Sequence, residues 1–264
     1  MARLAIVGAG LMGEAILSGL RAAGWAGTDI VVCDQRADRV AELRDRYGVT
    51  GADAADAVAD AQTVLLSVKP ADVAGVLATL RPAMADDALL LSICAGVALA
   101  TLEGGLRDAT PVVRAMPNTP ARVGQGITAL SLGAHATDDH LAEVSEILGA
   151  VGKVVTVAEK YQDSVTAVSG SGPAYLFLVA EALIEGGVHV GLSREVARDL
   201  AVQTLYGSAT LLHDSGDHPA LLREAVTSPG GTTAAALRKL EDHGVRAAFL
   251  AAVEAARDRS LELG

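Results

Sequence analysis

The chain predicts an α/β protein, a doubly wound parallel sheet followed by an all-helical region. Three observations carry this. Short apolar or β-branched runs alternate with helix-periodic segments as far as residue 159, and such alternation builds a parallel sheet with helices on both faces. A glycine-rich turn follows the first run and opens the first helical segment. After Glu159 the strand signals stop. The expected division is residues 1–159 and residues 160–264.

In chain order, residues 3–8 form the first strand-like run, followed by a helical pattern through Ile16, Leu17 and Leu20. Residues 30–33 form the second run, with a charged helix around Val40 and Leu43. Residues 63–68, 89–94 and 112–115 are the third, fourth and fifth strands, and residues 128–132 and 154–157 complete the sheet. Beyond these, residues 173–189 carry apolar side chains at helical spacing. Ser193 is placed to cap a helix reaching about His213. Pro219 suits the first position of another helix. Residues 232–242 and 245–263 supply the last two. Small side chains dominate these helices and let them approach closely, so the region is expected to associate with a second copy.

Composition removes several classes. Hydrophobic residues make up 51% of the chain but aromatics only 3%, and the net charge is −11. Such a chain lacks the cations and stacking platforms of a nucleic-acid binder. It is too hydrophobic to be disordered. The longest uncharged stretch, residues 164–180, contains two glycines and a proline and is shorter than the ~20 residues a bilayer needs. No membrane partner is therefore expected. Glu14 interrupts the apolar start, which reads better as strand, turn and helix than as a signal peptide. Cys33 and Cys94 are too few for a disulfide framework, so a reducing, cytoplasmic setting is expected.

The first chemical signal is Gly8-Ala9-Gly10-Leu11-Met12-Gly13. Alone, the Gly-x-Gly-x-x-Gly spacing is weak in a chain with 28 glycines. Directly after a strand and opening a helix, it reads as a dinucleotide-phosphate loop. The first glycine permits the turn, the second lets backbone approach a pyrophosphate, and the third lets helix and strand pack. A plain tight turn is the competing explanation. Asp34 lies 21 residues beyond Gly13, where an acid bonds an adenosine ribose 2′-hydroxyl and favours NADH. Arg36 instead suits a 2′-phosphate and NADPH. The two features conflict at this level.

Three further loops end strands at the same rim, where doubly wound sheets bind ligands. They are Ser67-Val68-Lys69-Pro70, Ser92-Ile93-Cys94-Ala95-Gly96 and Met116-Pro117-Asn118-Thr119-Pro120. Any one of them is also explained as an ordinary turn. A second dense signal is Thr227-Ser228-Pro229-Gly230-Gly231-Thr232-Thr233, just before a strong helix former. Hydroxyls, paired glycines and a helix start make a nest for an anion such as a carboxylate. Capping by Thr232 or Thr233 would explain one hydroxyl but not the run. Ser169-Gly170-Ser171-Gly172-Pro173-Ala174-Tyr175 is a similar turn, explained equally by close packing or ligand contact. The six histidines are scattered and make no metal-ligand cluster. No metal is expected, and no serine nucleophile elbow is present.

These motifs together resemble the pyrroline-5-carboxylate reductase family. The pieces that match are residues 8–13, 68–70, 114–120, 169–175 and 227–233, in the family's order and spacing across essentially the whole chain. The last is the most specific, while the first is shared by many dehydrogenases. The resemblance implies an N-terminal Rossmann domain and a helical C-terminal dimerisation domain, with rings of dimers in many members. It implies reduction of the cyclic imine 1-pyrroline-5-carboxylate to L-proline, the last step of proline biosynthesis, with NADPH or NADH. Gly8, Ala9, Gly10, Leu11, Met12, Gly13, Asp34, Arg36, Val68, Lys69, Pro70, Cys94, Ala95 and Gly96 would line the cofactor. Ser228, Pro229, Gly230, Gly231, Thr232 and Thr233 would hold substrate, with Met116, Pro117 and Asn118 nearby. Thr233 and Ser228 are the catalytic candidates, Thr233 bonding the ring nitrogen while backbone N–H groups of Gly230, Gly231 and Thr232 hold the carboxylate. Two positions depart from the family. Ala54 stands where relatives often carry an asparagine, and Asp34 where many carry Ser or Thr, against the usual NADPH preference that Arg36 only partly restores. A β-hydroxyacid reductase on this scaffold would need a lysine in residues 168–185, which have none. A non-enzymatic dinucleotide sensor would need no second motif.

Overall fold

A computed structural model describes Arg3 to Leu263, in two compact units. One holds the residues up to Ser171 together with those from Ala256 onward, and the other holds Gly172–Ala255.

The first unit contains an eight-stranded sheet. Its strands are β1 (Leu4–Val7), β2 (Ile30–Cys33), β3 (Thr50–Gly51), β4 (Thr63–Leu66), β5 (Leu89–Ser92), β6 (Val112–Met116), β7 (Gly126–Leu132) and β8 (Gly152–Thr156). They lie in the order β3-β2-β1-β4-β5-β6-β7-β8. The chain builds outward from β1 in one direction, then crosses to β4 and builds in the other. That reversal places a crevice at the C-terminal ends of β1 and β4.

The sequence of each strand reflects its place. All four residues of β1, β4 and β5 are buried, because central parallel strands are covered on both faces and read as continuous apolar runs. In β2, nearer the edge, Ile30 and Val32 are buried and Val31 and Cys33 only partly so. Alternate residues of one strand serve two cores. Leu4 and Ile6 pack with Ile16, Leu17, Leu20 and Ile147 on one face, while Ala5 and Val7 pack with Val58, Val73, Leu77 and Leu102 on the other. Each fully buried Leu or Ile contributes about 1.5–3 kcal/mol by leaving water.

The sheet departs from the expected all-parallel pairing at one place. β6 and β7 are antiparallel, with Val113 opposite Leu132 and Met116 opposite Ala129. Their connection is a single 3-10 turn, Thr119–Val123, and so short a link joins only antiparallel neighbours. β3 pairs two residues at the sheet's edge and is too short to leave a periodic signal.

The helices of this unit are α1 (Leu11–Ala22), α2 (Ala37–Tyr47), α3 (Ala54–Ala59), α4 (Val73–Leu80), α5 (Leu99–Gly104), α6 (Asp138–Gly149) and α7 (Gln162–Val165). A π-helical turn, Thr166–Gly170, follows α7. The last turns of the chain return here, with the Ser260 hydroxyl donating to Asp163 at 2.6 Å.

The second unit is helical, with α8 (Gly172–His189), α9 (Arg194–Ser215), α10 (Pro219–Ala225), α11 (Thr232–Asp242) and most of α12 (Val245–Leu263). The Ser193 hydroxyl caps α9, accepting from the Val196 N–H at 3.3 Å. Pro219 occupies the first turn of α10, and the His218 ring accepts from the Ala220 N–H at 3.2 Å. α8 and α9 approach where Gly187 meets Ala197. Of this unit's apolar side chains only Ala197 and Ala201 are buried, whereas Leu176, Phe177, Leu178, Leu200 and Tyr206 are all more than half exposed. Taken as one helical stretch, Glu159–His189 is long and apolar enough to cross a membrane by length and composition, with mean hydropathy 1.4. Counting only uncharged residues misses this, because acidic side chains at Glu181 and Glu185 punctuate the stretch.

Candidate active site

The turn between β1 and α1 has the form a pyrophosphate requires. Gly8 sits at φ +92, in the left-handed region, and a Cβ there would run into the Ser67 carbonyl. A Cβ at Gly13 would lie 2.5 Å from the Gly8 carbonyl oxygen, so helix and strand close tightly only because both positions are bare. Gly10 is different, since a Cβ there would meet nothing within 4 Å. It is the N-cap of α1, extended and without a side-chain cap. The first N–H groups of α1 therefore have no partner within the helix, and the helix dipole there favours an anion. The residues present fit a dinucleotide.

Ala9 is gripped from both sides. Its N–H donates to Asp34 Oδ2 at 2.9 Å, and its carbonyl accepts from Arg39 Nε at 3.0 Å. Arg39 also pairs with Glu14 and Glu42. Glu14 further accepts from Arg46 and from the Tyr47 hydroxyl, each at 3.0 Å. Burial works to raise the Glu14 carboxyl, but bonds from Arg39 and Tyr47 and the charges of Arg39 and Arg46 hold it below its usual range. Glu14 thus holds Arg39 in the position from which its Nε fixes the Ala9 carbonyl.

A cavity of about 700 Å³ opens at this rim. Of the residues expected to bind cofactor, Gly8, Gly10, Asp34, Arg36, Val68 and Lys69 line it. Ala9, Met12 and Gly13 face inward, Leu11 is exposed, and Pro70 heads a 3-10 turn behind Lys69. Cys94, Ala95 and Gly96 follow the end of β5 but are not on this wall. The Cys94 thiol is buried and bonds the Leu66 carbonyl at 3.5 Å. Burial pushes that thiol up, and burial with Asp34 and Asp53 does the same to Cys33, so neither is poised as a nucleophile. The wall also includes Asp72, Gly75, Val76 and Thr79, which sequence reasoning missed. Their spacing of three and four residues marks one face of α4 and its N-cap, flanking the buried Val73, Leu77 and Leu80.

Asn118 follows β6, two residues past its end, and is buried. Its side-chain amide donates to the Ser169 carbonyl at 3.1 Å and accepts from the Ile127 N–H at 2.9 Å. It thereby ties the Met116-Pro117-Asn118 loop to the π-helical turn. Gly170 lies against the Met116 side chain there, 2.8 Å separating Met116 Cε from where its Cβ would be. Asn118→Ala is expected to leave both backbone groups unpaired and lower stability by about 1–3 kcal/mol. Urea denaturation checks this, and an unchanged midpoint refutes it.

In the helical unit, the Thr227-to-Thr233 run forms a turn into α11. Gly230 has φ +68, and the Gly231 N–H donates to the Ser228 carbonyl at 3.0 Å. This N–H is therefore spent inside the turn, contrary to the expectation that it holds a carboxylate. Gly231 is the N-cap, with no side-chain cap. Thr232 and Thr233 occupy the first helical positions, so neither is a capping residue. The Thr227 hydroxyl turns back to the Arg223 carbonyl at 2.6 Å. Ser228, Pro229, Gly230 and Thr232 are exposed and Thr233 is half-buried. The first-turn N–H groups of α11, from Thr232 onward, lack intrahelical partners.

A doubly wound sheet, a bare glycine turn and an uncapped helix beside a crevice define a dinucleotide-binding protein of the Rossmann class. Residues 3–96 match the profile of coenzyme F420-dependent NADP oxidoreductases, and residues 159–263 match that of pyrroline-5-carboxylate reductase dimerisation. A pyrroline-5-carboxylate reductase of Mycobacterium tuberculosis is 50% identical, over 100% of this chain and 97% of its own length. The structure of the Coxiella burnetii enzyme superposes with a TM-score of 0.95 at 35% identity, covering 100% and 98% of the two chains. The Plasmodium falciparum enzyme with NADP bound gives 0.88 at 30% identity, covering 100% and 98%. The chain belongs to the pyrroline-5-carboxylate reductase family.

Proposed function

We propose that this chain reduces 1-pyrroline-5-carboxylate to L-proline using NADPH or NADH, the last step of proline biosynthesis. The observation that carries the reading is full-length membership of the family with both the phosphate loop and the residue 227–233 turn intact. Residues 1–159 bind the dinucleotide, and residues 160–264 bind substrate and dimerise. When bound, the reduced nicotinamide supplies a hydride to C5 of the imine.

The protein's own residues bind and orient. Gly8 and Gly10 leave room for the phosphates, and the α1 N–H groups hold them. The first-turn N–H groups of α11, with the Ser228 hydroxyl, hold the substrate carboxylate. The Thr233 hydroxyl accepts from the protonated ring nitrogen, keeping the C=N carbon electrophilic until the ring becomes an amine. Met116 and Pro117 are further candidates for substrate binding, and Asn118 holds their loop in place. Holding the reactants in register supplies several kcal/mol of barrier lowering, within the ~7–11 kcal/mol that orientation can reach.

Exposed Leu176, Phe177, Leu178, Leu200 and Tyr206 lie within the stretch matching the dimerisation profile. A patch of that kind marks a protein interface, and a second copy of this chain covers it, with rings of dimers as a further assembly. The same reading makes the apolar helix an interface rather than a membrane span, and the proposed setting of the protein is the cytoplasm. The test is oxidation of NADPH or NADH on adding pyrroline-5-carboxylate, with proline as product. Absence of oxidation with both cofactors would favour the dinucleotide sensor instead. Light scattering giving only monomer mass at micromolar concentration would remove the dimer.

A further inference from the structure

We infer that Asp34 selects NADH over NADPH in this chain. The inference rests on the dinucleotide part of the proposed function and extends it to the ribose. The sequence leaves Asp34 and Arg36 in conflict, and the arrangement of their side chains resolves it.

Asp34 follows β2 and lines the cavity. Its two oxygens are each fixed by one backbone donor, Oδ2 by the Ala9 N–H at 2.9 Å and Oδ1 by the Arg36 N–H at 3.0 Å. A carboxylate has about four acceptor positions, so further ones remain for hydroxyl donors. The Ala9 bond also sets this carboxylate directly beside the phosphate loop. An acid in that place bonds the ribose 2′-hydroxyl. A 2′-phosphate has no proton to donate to it at neutral pH and brings about −1.5 to −2 charges against it.

The cations do not offset this. The Arg36 guanidinium is 63% exposed and its nearest charged partner is Asp34 itself, with Nε 3.7 Å from Oδ1. Arg39 is committed to the Ala9 carbonyl, Glu14 and Glu42. Lys69 is the remaining cation on the cavity wall, which also carries the acidic Asp72. Fixed acceptors thus line the cavity where an adenosine ribose would lie, and the adjacent guanidinium is already drawn to one of them.

The experiment is equilibrium titration of the full chain with NADH and with NADPH, without imine. NADH is expected to bind at least tenfold more tightly. Asp34→Ser and Asp34→Asn are each expected to shrink that ratio by at least fivefold, chiefly by strengthening NADPH binding. The asparagine variant keeps an oxygen for the Ala9 N–H, so it reports on charge even where the serine variant folds poorly. Equal or tighter NADPH binding in the unaltered chain overturns the inference. So does a ratio that survives both substitutions, or a selective loss of NADPH binding above tenfold in Arg36→Ala. A chain that binds NADH selectively but leaves the imine unreduced keeps this inference and loses the proposed reaction. A chain that reduces the imine but binds both cofactors equally does the reverse.

Discussion

Gly8→Ala is expected to damage both stability and dinucleotide binding, whereas Gly10→Ala damages binding alone. At Gly8 the backbone has φ +92, and the new methyl group would strike the Ser67 carbonyl. That carbonyl is backbone and cannot rotate aside as a flexible side chain would. Left-handed strain costs of order 1–3 kcal/mol, and overpacking adds a further ~1–3 kcal/mol. The loop must move away from Ser67, and with it Ala9, whose N–H and carbonyl are held by Asp34 and Arg39. A fall in thermal midpoint together with at least ~100-fold weaker binding is expected, since 1.4 kcal/mol is already tenfold. At Gly10 the methyl group meets no protein atom within 4 Å, so folding is kept. It occupies the space the phosphates need, and binding falls. Calorimetric scans and cofactor titrations of the two variants separate the effects. A destabilised Gly10→Ala, or a Gly8→Ala that binds normally, would contradict this account of the loop.

The second large effect is at Thr233. Thr233→Ala is expected to lower turnover by roughly 10- to 100-fold, below the 10²–10³ lost on removing a full transition-state donor. Cofactor affinity should stay within about twofold, because Thr233 is not on the cavity wall. Stability should hardly change, since Gly231 rather than Thr233 is the N-cap of α11 and the ~1 kcal/mol cost of a lost cap does not arise. Thr233→Ser keeps a hydroxyl and is expected to restore most of the turnover. Steady-state kinetics on both variants decide the matter. A Thr233→Ala enzyme with normal kcat would take the hydroxyl out of the reaction.

Most of the sheet was legible because its central strands are apolar on both faces. Runs such as Leu4-Ala5-Ile6-Val7 and Leu89-Leu90-Leu91 announce burial whatever their partners. The direction of pairing was not legible in the same way. Nothing in residues 126–132 distinguishes a strand that runs against β6 from one that runs with it, and the short link through Thr119–Val123 decides it. The phosphate loop was readable because each glycine there answers to a different steric demand. The far wall of the cavity was not, since Asp72, Gly75 and Thr79 carry no motif and converge only once α4 is folded. The roles of Gly231 and Asn118 needed hydrogen-bond partners that composition cannot name.

The exposed helices have one more consequence. With only Ala197 and Ala201 buried among its apolar side chains, the helical unit has almost no core of its own. Association with a second copy would supply that core, so persistence of the folded unit becomes a matter of mass action. The melting temperature then rises with protein concentration, and specific activity decays on dilution as copies separate. Enzyme abundance itself would set the fraction of chains competent to work.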